Sequence, residues 1–354
     1  MTSLEVVQQR LRNQHLASAW LKQPVEIVQW LGAVQAQDYA GAKWALGLRL
    51  PDVADDEVER AFTDGTILRT HVMRPTWHFV ASADIRWLLA LTAPRVHAVN
   101  GHMYRKCELD PQTLRRSLRV MAKALQGGRQ LTRDELRAVL SKAGIAADDN
   151  LRMAYVVMHA ELEGLVCSGA RQGKQFTYAL LEERAPQAKT LERDEALCEL
   201  ILRYFASRGP ATCQDFVWWS GLTMADAKRG VEAAQSQLEQ TVFNGQTNWF
   251  AEAAPIASDS AQAAYLLPNY DEYGIAYRDR SAMFDAERGS QLIFNHLIVI
   301  NGRLAGTWKR TLKKHEVVIE TNTFVPLTKV EDRAVAAAVR QYGVFLGLPA
   351  LYNR

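Results

Sequence analysis

The spacing of apolar residues near the start of the chain predicts helices followed by a hairpin. Apolar positions recur at helical intervals over Leu4 to Trp20 and over Val25 to Val34, the second run opening next to Pro24. After a Thr-Asp-Gly turn signal, residues 67–80 are rich in β-branched and aromatic side chains and are broken by Arg74-Pro75. That pattern predicts two strands joined by a turn. Helices followed by a hairpin are typical of a winged helix, a variant of the helix-turn-helix.

The same order of elements recurs twice further along the chain. In the second set, a capping box at Thr132 opens one helix, Asp149 to Gly164 predicts another, and residues 165–178 predict a hairpin with a glycine-rich, basic tip. In the third set, helices are predicted between Asp194 and Gln237, and Asn244-Gly245 is a strong hairpin signal. The spacing of the three sets is uneven, so the predicted repeat is structural rather than literal.

The last hundred residues predict a different kind of domain. The Ala/Ser-rich run from Ala251 to Ala264 predicts a linker, and strands are predicted over 291–300, 303–308 and 317–320, with a helix over Asp332 to Tyr342. We therefore predict an α+β, mainly helical fold, with three tandem winged-helix modules forming a concave surface and a C-terminal β-rich domain. The predicted bounds are 1–100 and 101–190 for the first two modules, 191–255 for the third, and 256–354 for the β-rich domain.

Composition narrows the class of partner only through local charge. Across 354 residues, 48% hydrophobic and 23% charged residues are ordinary for a soluble globular protein, and a net charge of +3 does not establish a polyanionic partner. Residues 101–150, however, hold ten Lys/Arg against six Asp/Glu, and residues 301–354 hold nine against four. Basic patches on a near-neutral body suit a protein that binds nucleic acid with one face. A solvated helix surface is the alternative for each single patch.

Several familiar sites and segments are missing from the sequence. The four cysteines form no Cys-x-x-Cys, and we find neither a signal sequence nor a membrane-spanning apolar run, which predicts a cytoplasmic, nucleoid-associated protein without a membrane partner. Phosphate-loop, dinucleotide and His-Glu-x-x-His motifs are absent, so we expect a reaction without cofactor or metal. The scattered histidines show no metal-ligand spacing: His15, His97, His102, His159 and His296.

Two glutamines that flank one small apolar residue, Gln35-Ala36-Gln37, are the most informative short motif. On a helix, side chains at i and i+2 diverge, whereas on an extended segment they share a face. If the two glutamines act together, the backbone should leave the helix here. Asp38 is expected to cap the next helix rather than to act as a displaced carboxylate, and Gly41 would permit a close approach. The alternative is that both glutamines are ordinary polar residues at a helix–helix corner.

Five motifs spread over nearly the whole chain support the functional interpretation of this pair. They are Gln35-Ala36-Gln37, Thr76-Trp77-His78, Leu267 to Tyr273, Tyr277 to Arg280, and Asn301 to Trp308. In this order they resemble the AlkZ-like family of winged-helix DNA glycosylases. The resemblance implies a monofunctional glycosylase that removes N7-alkylated purines, in some members including interstrand crosslinks. It maps the catalytic pair onto Gln35 and Gln37, although related proteins carry Asp at the second position.

The substrate class explains how amides could suffice. A purine alkylated on N7 already carries positive charge and leaves as a neutral molecule, so no general acid is needed. A glutamine oxygen can still accept a hydrogen bond from water, and its dipole can face a cationic sugar. The expected partner is alkylated double-stranded DNA. We expect no protein partner and a monomeric protein. Bulky lesions do not fit a snug pocket for a flipped base, so extrusion of the nucleotide is not required.

Candidate DNA contacts lie in three predicted hairpins. We expect cationic side chains here to contact phosphates, which gives affinity and register without sequence choice. The basic run 307–315 also resembles a family hairpin near the DNA. For His78 the alternative is a structural histidine under the hairpin, and for the basic run it is a solvated tip. The candidates are Arg69, His71, Arg74 and His78 in the first hairpin, Arg171 and Lys174 in the second, and Lys309, Arg310, Lys313 and Lys314 in the third.

Two further expectations remain open at this level. Asp271 and Glu272 are adjacent, so on a strand they should point apart, and we expect them to pair with Arg278 or Arg280 rather than to form an acid pair.

Tandem winged helices also serve non-enzymatic DNA-binding proteins. The alternative function is therefore a transcription regulator or a protein that binds lesions without excising them.

Overall fold

The computed structural model describes residues 1–18, 20–251, 263–284 and 295–353, which divide into two compact units. The first unit comprises Met1–Glu59, Leu197–Trp219 and Thr223–Arg354, and the second comprises Arg60–Ala196 and Ser220–Leu222. The fold is α+β with several sheets, as predicted. The division into four modules stays a prediction. Most of the predicted linker and the start of the strand predicted over 291–300 lie outside the described residues.

The helices and strands of the described residues are numbered in chain order. The helices are α1 (Ser3–Asn13), α2 (Pro24–Leu31), α3 (Tyr39–Arg49), α4 (Asp55–Asp64), α5 (Ile85–Lys106), α6 (Pro111–Leu125), α7 (Arg133–Lys142), α8 (Asn150–Leu162), α9 (Leu181–Arg184), α10 (Arg193–Arg208), α11 (Cys213–Ser220), α12 (Met224–Ala234), α13 (Glu272–Ile275) and α14 (Lys329–Leu346). The strands are β1 (Val34–Gln35), β2 (Ile67–His71), β3 (Trp77–Ala81), β4 (Leu131–Thr132), β5 (Val166–Ser168), β6 (Thr177–Leu180), β7 (Glu239–Phe243), β8 (Gln246–Phe250), β9 (Ala264–Leu267), β10 (Leu297–Ile300), β11 (Arg303–Leu312), β12 (Val317–Thr323) and β13 (Ala350–Asn353). None of these helices is long and apolar enough to span a bilayer.

Local signals fix where several helices of the first unit begin and end. Pro24 occupies the first turn of α2, where its missing N–H leaves no bond unmade. Thr328 opens α14 with a reciprocal capping box. The first helix is shorter than predicted: α1 ends at Asn13 because His15 adopts a left-handed φ of 58°, so the expectation that it reaches Trp20 is wrong.

A five-stranded sheet forms the frame of the first unit. Its strand order is β13-β12-β11-β10-β9, antiparallel except for the parallel pair β12–β13. Helix α14 packs on this sheet and on α3. The rings of Trp44 and Trp308 both pack edge-on against Tyr342, at 4.8 and 5.4 Å between centroids. These contacts hold α3, which begins just after the glutamine motif, against the sheet that carries the β11–β12 hairpin.

The hairpin predicted from Asn244-Gly245 also belongs to the first unit. Strands β7 and β8 pair in antiparallel register, with Phe243 opposite Gln246. Between them Asn244 and Gly245 adopt φ values of 50° and 72°, the left-handed pair that a two-residue hairpin turn requires. The hairpin predicted from Asn-Gly is therefore confirmed.

The second unit contains the hairpins predicted over residues 67–80 and 165–178. Strands β2 and β3 pair from Ile67 opposite Ala81 to His71 opposite Trp77. Further on, β4, α7, α8, β5 and β6 follow one another, and the strands form a sheet of order β4-β6-β5. That is the order of elements the pattern predicted over 131–178, and the capping box at Thr132 is present. The long helix α5 precedes them and keeps Pro94 inside its length.

Candidate active site

The glutamine motif lies in a short non-helical corner of the first unit. Helix α2 ends at Leu31, Gly32 adopts a left-handed φ of 73°, β1 follows, and α3 begins at Tyr39. The backbone therefore leaves the helix at this point, as the i, i+2 spacing requires for joint action. Burial alternates along the motif: Gln35 is half-buried, Ala36 is fully buried and Gln37 is exposed. Ala36 is therefore the inward-facing residue of the motif, and this alternation is compatible with the two glutamines sharing a face, which stays a prediction.

The Gln35 amide oxygen occupies an unusual position. Its Oε1 atom is buried, and among the described residues it has no hydrogen-bond partner. Leaving a buried acceptor unpaired costs about 1–3 kcal/mol. Such an atom in a native structure calls for an explanation, and a ligand group or water that arrives later is one. The same holds for Oδ1 of Asn269, on the loop after β9.

Asp38 caps the helix that follows the motif. Its side chain accepts the N–H of Gly41 at 3.1 Å, which confirms the predicted N-cap. A methyl group on Gly41 would lie 3.0 Å from Oδ2 of Asp38 and 2.9 Å from Oδ1 of Asn269. The predicted close approach is therefore present. Arg310 also comes within 3.9 Å of Oδ2 of Asp38, so this carboxylate has a cationic neighbour.

A fully buried carboxylate, Glu272, lies behind the glutamine motif. Its Oε1 accepts the backbone N–H of Gln35 at 3.0 Å. Its Oε2 accepts Nε1 of Trp219 at 2.9 Å and forms an ion pair with Nη2 of Arg208 at 2.6 Å. Because each oxygen has a strong donor, the buried charge is compensated.

Arg208 extends the same network to the end of α2. Its Nη1 donates to the carbonyl oxygen of Leu31 at 2.7 Å, and its Nη2 donates to that of Ala33 at 3.2 Å. The carbonyl of Leu31, the last residue of α2, is one that the end of a helix leaves without a partner, and Ala33 lies two residues further on. One buried ion pair therefore holds the corner at several points. Arg208 binds the carbonyls of Leu31 and Ala33, and Glu272 binds the backbone N–H of Gln35.

The acidic pair at 271–272 does not bind the arginines that the sequence predicted. Asp271 forms a bidentate pair with Arg49, at 2.8 and 2.9 Å, and Glu272 pairs with Arg208. The expectation of Arg278 or Arg280 is wrong, and so is the strand. Asp271 caps the short helix α13, and its neighbour is the first residue of that helix, so the two side chains diverge toward different elements.

The third candidate hairpin, β11–β12, presents most of its cations to solvent. Lys309, Lys313 and Lys314 are exposed, although Lys313 forms an ion pair with Glu316 at 2.7 Å. Arg310 is half-buried and donates to the hydroxyl of Tyr342 at 2.5 Å. Burial raises the pKa of Tyr342, so its hydroxyl stays protonated beside the guanidinium. Lys309 and Lys314 are therefore open to solvent, whereas Arg310 ties the hairpin to the body of the unit.

The first candidate hairpin is packed on both faces, in contrast to the expected solvent-facing side. Arg69 is buried, with its guanidinium 4.3 Å from the ring centroid of Trp77. His71 is buried in close contact with the carboxylate of Glu161. His78 is fully buried, with Nδ1 2.9 Å from the carbonyl oxygen of Thr76, which is the structural alternative. Arg69, His71 and His78 are therefore largely covered by their neighbours, and their contact with DNA stays a prediction.

The remaining candidates in the second unit are more accessible. Arg74 and Arg171 are half-buried, and Lys174 is exposed on the loop between β5 and β6. Their contact with DNA stays a prediction.

Sequence reasoning missed Arg208 and the role of Glu272, because partners 64 residues apart leave no local signal. Asn269 was noted only as part of a family motif.

Known proteins share the sequence pattern and the fold of this chain. The family profile described as "DNA glycosylase AlkZ-like" matches residues 28–345. An "Interstrand DNA cross-link repair glycosylase" from Streptomyces sahachiroi is 24% identical over 352 residues, covering 94% of this chain and 92% of that protein. The solved structure of Streptomyces sahachiroi DNA glycosylase AlkZ shares the fold, with a TM-score of 0.80 at 21% identity, covering 100% of this chain and 99% of that one.

A match over most of the chain defines the class of protein first: it is a DNA glycosylase, an enzyme that hydrolyses N-glycosyl bonds. The chain belongs to the AlkZ-like DNA glycosylase family. This confirms the resemblance drawn from the five sequence motifs.

Proposed function

We propose that this glycosylase hydrolyses the N-glycosidic bond of N7-alkylated purines in double-stranded DNA, including bulky adducts and interstrand crosslinks. Gln35 and Gln37 position the attacking water and stabilise the cationic sugar. The observation that carries the proposal is the buried, unpartnered oxygen of Gln35 at a corner held by a buried ion pair. The name of the Streptomyces sahachiroi relative, a cross-link repair glycosylase, supports the substrate class.

The chemistry asks little of the protein. As the bond between C1′ and N9 breaks, its electron pair moves to the base and cancels the positive charge that alkylation put there. The base leaves neutral, and C1′ gains oxocarbenium character. Water then adds to C1′ and releases a proton to solvent. No acid has to protonate the base, so the protein supplies position and dipoles.

The two amides suit that limited task. A glutamine oxygen accepts a hydrogen bond from water, which aligns the water lone pair with C1′. The amide group of Gln35 can turn about its Cγ–Cδ bond, whereas its backbone N–H is fixed to Glu272. Water held by bound DNA would supply the missing partner of Oε1. Gln37 is exposed, so it can reach the sugar without rearrangement of the protein.

Affinity for the duplex comes from the lysines of the β11–β12 hairpin. Lys309, Lys313 and Lys314 are exposed, and their charges suit contacts with phosphates that carry no sequence preference. Arg310, Arg74, Arg171 and Lys174 are secondary candidates. We propose that the protein acts as a monomer, without a protein partner, on nucleoid DNA in the cytoplasm.

The decisive experiment measures release of N7-methylguanine from a duplex, followed by cleavage of the abasic product. Gln35→Ala and Gln37→Ala should each abolish release while duplex binding remains. Gln29→Ala is the matched control, because Gln29 is a half-buried glutamine on α2 outside the motif, and it should retain activity. Retained activity in both motif variants would contradict the amide mechanism and direct attention to Asp38. Tight duplex binding by the wild type without release of any N7 adduct would instead indicate a lesion-binding protein.

A further inference from the structure

Three side chains of metal-ligand type meet in the second unit, away from the glutamine motif in sequence. They are His97 on α5, His159 on α8, and Glu163 at the end of α8. Oε1 of Glu163 lies 3.1 Å from Nε2 of His97 and 3.8 Å from Nε2 of His159. One ligand atom from each of the three lies within 4.8 Å of the other two. The sequence showed no such spacing, because 62 positions separate the two histidines.

Packing of two helices creates this cluster. His159 and Glu163 are four residues apart, so they share one face at the end of α8. Helix α5 packs against that end through a small apolar core of Ala93 and Val96 with Met158 and Leu162. His97 follows directly after this core, which places its ring 5.1 Å from that of His159. His97 and His159 therefore stand on helices, and Glu163 is the residue that ends α8.

We propose that His97, His159 and Glu163 bind a divalent transition-metal ion, with Zn²⁺ as the best-fitting ion. Two imidazoles and one carboxylate are a common ligand set for zinc with an open fourth position. At zinc–ligand distances of about 2.1 Å, tetrahedral ligand atoms lie about 3.4 Å apart. The observed separations of 3.1 and 3.8 Å lie on either side of that value, and the third separation is within 4.8 Å.

The surroundings support ligation. The hydroxyl of Tyr104 lies 2.8 Å from Nδ1 of His97, which orients the ring and leaves Nε2 toward Glu163. Beside the cluster, an open cleft of about 380 Å³ reaches His97 and Glu163, with Arg86 on its wall. Water or an anion can therefore occupy the fourth position of the metal.

The role we assign to the ion is to join α5 to α8 and stabilise the second unit. It takes no part in the proposed glycosylase chemistry, and the proposal does not depend on that chemistry. Two consequences follow. Zinc should raise the thermal unfolding temperature of the full-length protein, because an ion that binds only the folded state stabilises it. Removal of zinc should leave the release of N7-methylguanine largely unchanged at low temperature.

The test uses full-length protein freed of metal with a chelator and titrated with Co²⁺ and Zn²⁺. Wild type should bind one Co²⁺ per chain with visible absorption of a low-coordinate site, and Zn²⁺ should displace it. His97→Ala and His159→Ala should weaken binding at least tenfold, and Tyr104→Phe by roughly tenfold, the lower end for an outer-shell partner. His102→Ala is the control on the same helix, because His102 is exposed and outside the cluster, and it should bind as wild type does.

A variant that fails to fold would not spoil the test. Glu163 is half-exposed, so Glu163→Gln removes one ligand charge with little effect on packing, and it should also lose tenfold or more in affinity. Folding of each variant is checked by circular dichroism. The proposal is wrong if folded wild type takes up no Co²⁺ or Zn²⁺ at micromolar concentrations. It is equally wrong if the His97→Ala, His159→Ala double variant binds as wild type does.

Discussion

Replacement of Arg208 by methionine tests whether the buried ion pair positions the glutamine motif. Methionine fills much of the same volume but leaves the Glu272 carboxylate buried without its cation. It also removes the donors to the carbonyls of Leu31 and Ala33. Breaking a buried pair from one side costs about 3–5 kcal/mol, a large part of the roughly 5–15 kcal/mol that stabilises a typical domain. We expect a loss of unfolding free energy of that size in chemical denaturation.

Loss of stability alone would not show a positioning role, so the experiment needs a matched pair. Arg49 forms another buried ion pair in the same unit, with Asp271, and its other hydrogen bonds go to Gln14 and Ala45 rather than to the corner. Arg49→Met should therefore destabilise the protein by a similar amount. Only Arg208→Met should also misplace the backbone of Gln35.

Activity separates the two variants. A misplacement of about 1 Å at a reacting centre can lower a rate about 100-fold. Single-turnover release of N7-methylguanine is measured at a temperature where circular dichroism shows both variants fully folded. We expect Arg208→Met to lose about 100-fold in rate and Arg49→Met to lose less than tenfold. Equal rates in the two variants, or a wild-type rate in Arg208→Met, would refute the positioning argument.

Two other predictions concern the hairpin and the cap. Lys309→Glu with Lys314→Glu should weaken duplex binding equally across unrelated sequences and lower the salt dependence of binding, the slope of log K against log salt, by about 2. The control, Lys228→Glu with Lys329→Glu, makes the same charge change at exposed helix positions and should have neither effect. A loss of binding confined to one sequence would contradict phosphate contact. Asp38→Asn keeps an N-cap and should keep activity, while Asp38→Ala should cost about 1 kcal/mol of stability; inactivity of a folded Asp38→Asn variant would assign the carboxylate a chemical role.

Sequence reasoning succeeded where the determinants are neighbours in the chain. Pro24, the Thr132 capping box and Asn244-Gly245 each specify local geometry through their own backbone and the next few residues, and the structure confirms all three. The extended corner at Gln35-Ala36-Gln37 was predicted for a related reason, because i, i+2 side chains can share a face only off the helix.

It failed where the determinants are tertiary. Glu272 could have paired with any of several arginines, and its choice of Arg208 depends on how α10 and α13 pack. Alternation in the first hairpin implied a solvent face, yet β2 is buried along its whole length because both of its faces are covered. Strand β13 was missed because four residues at the end of the chain become a strand only by parallel pairing with β12.

The buried pair also explains why amides rather than carboxylates would face the DNA in the proposed mechanism. Glu272 contributes a hydrogen bond to the corner, but its charge is balanced by Arg208 and is fully buried, away from solvent. A carboxylate in place of Gln37 would attract the cationic sugar more strongly, yet it would also repel the flanking phosphates. A substrate that already carries the positive charge needs less attraction. The Gln35-Ala36-Gln37 motif can therefore stay neutral, and in the proposed mechanism the lysines of the β11–β12 hairpin supply the affinity for the duplex.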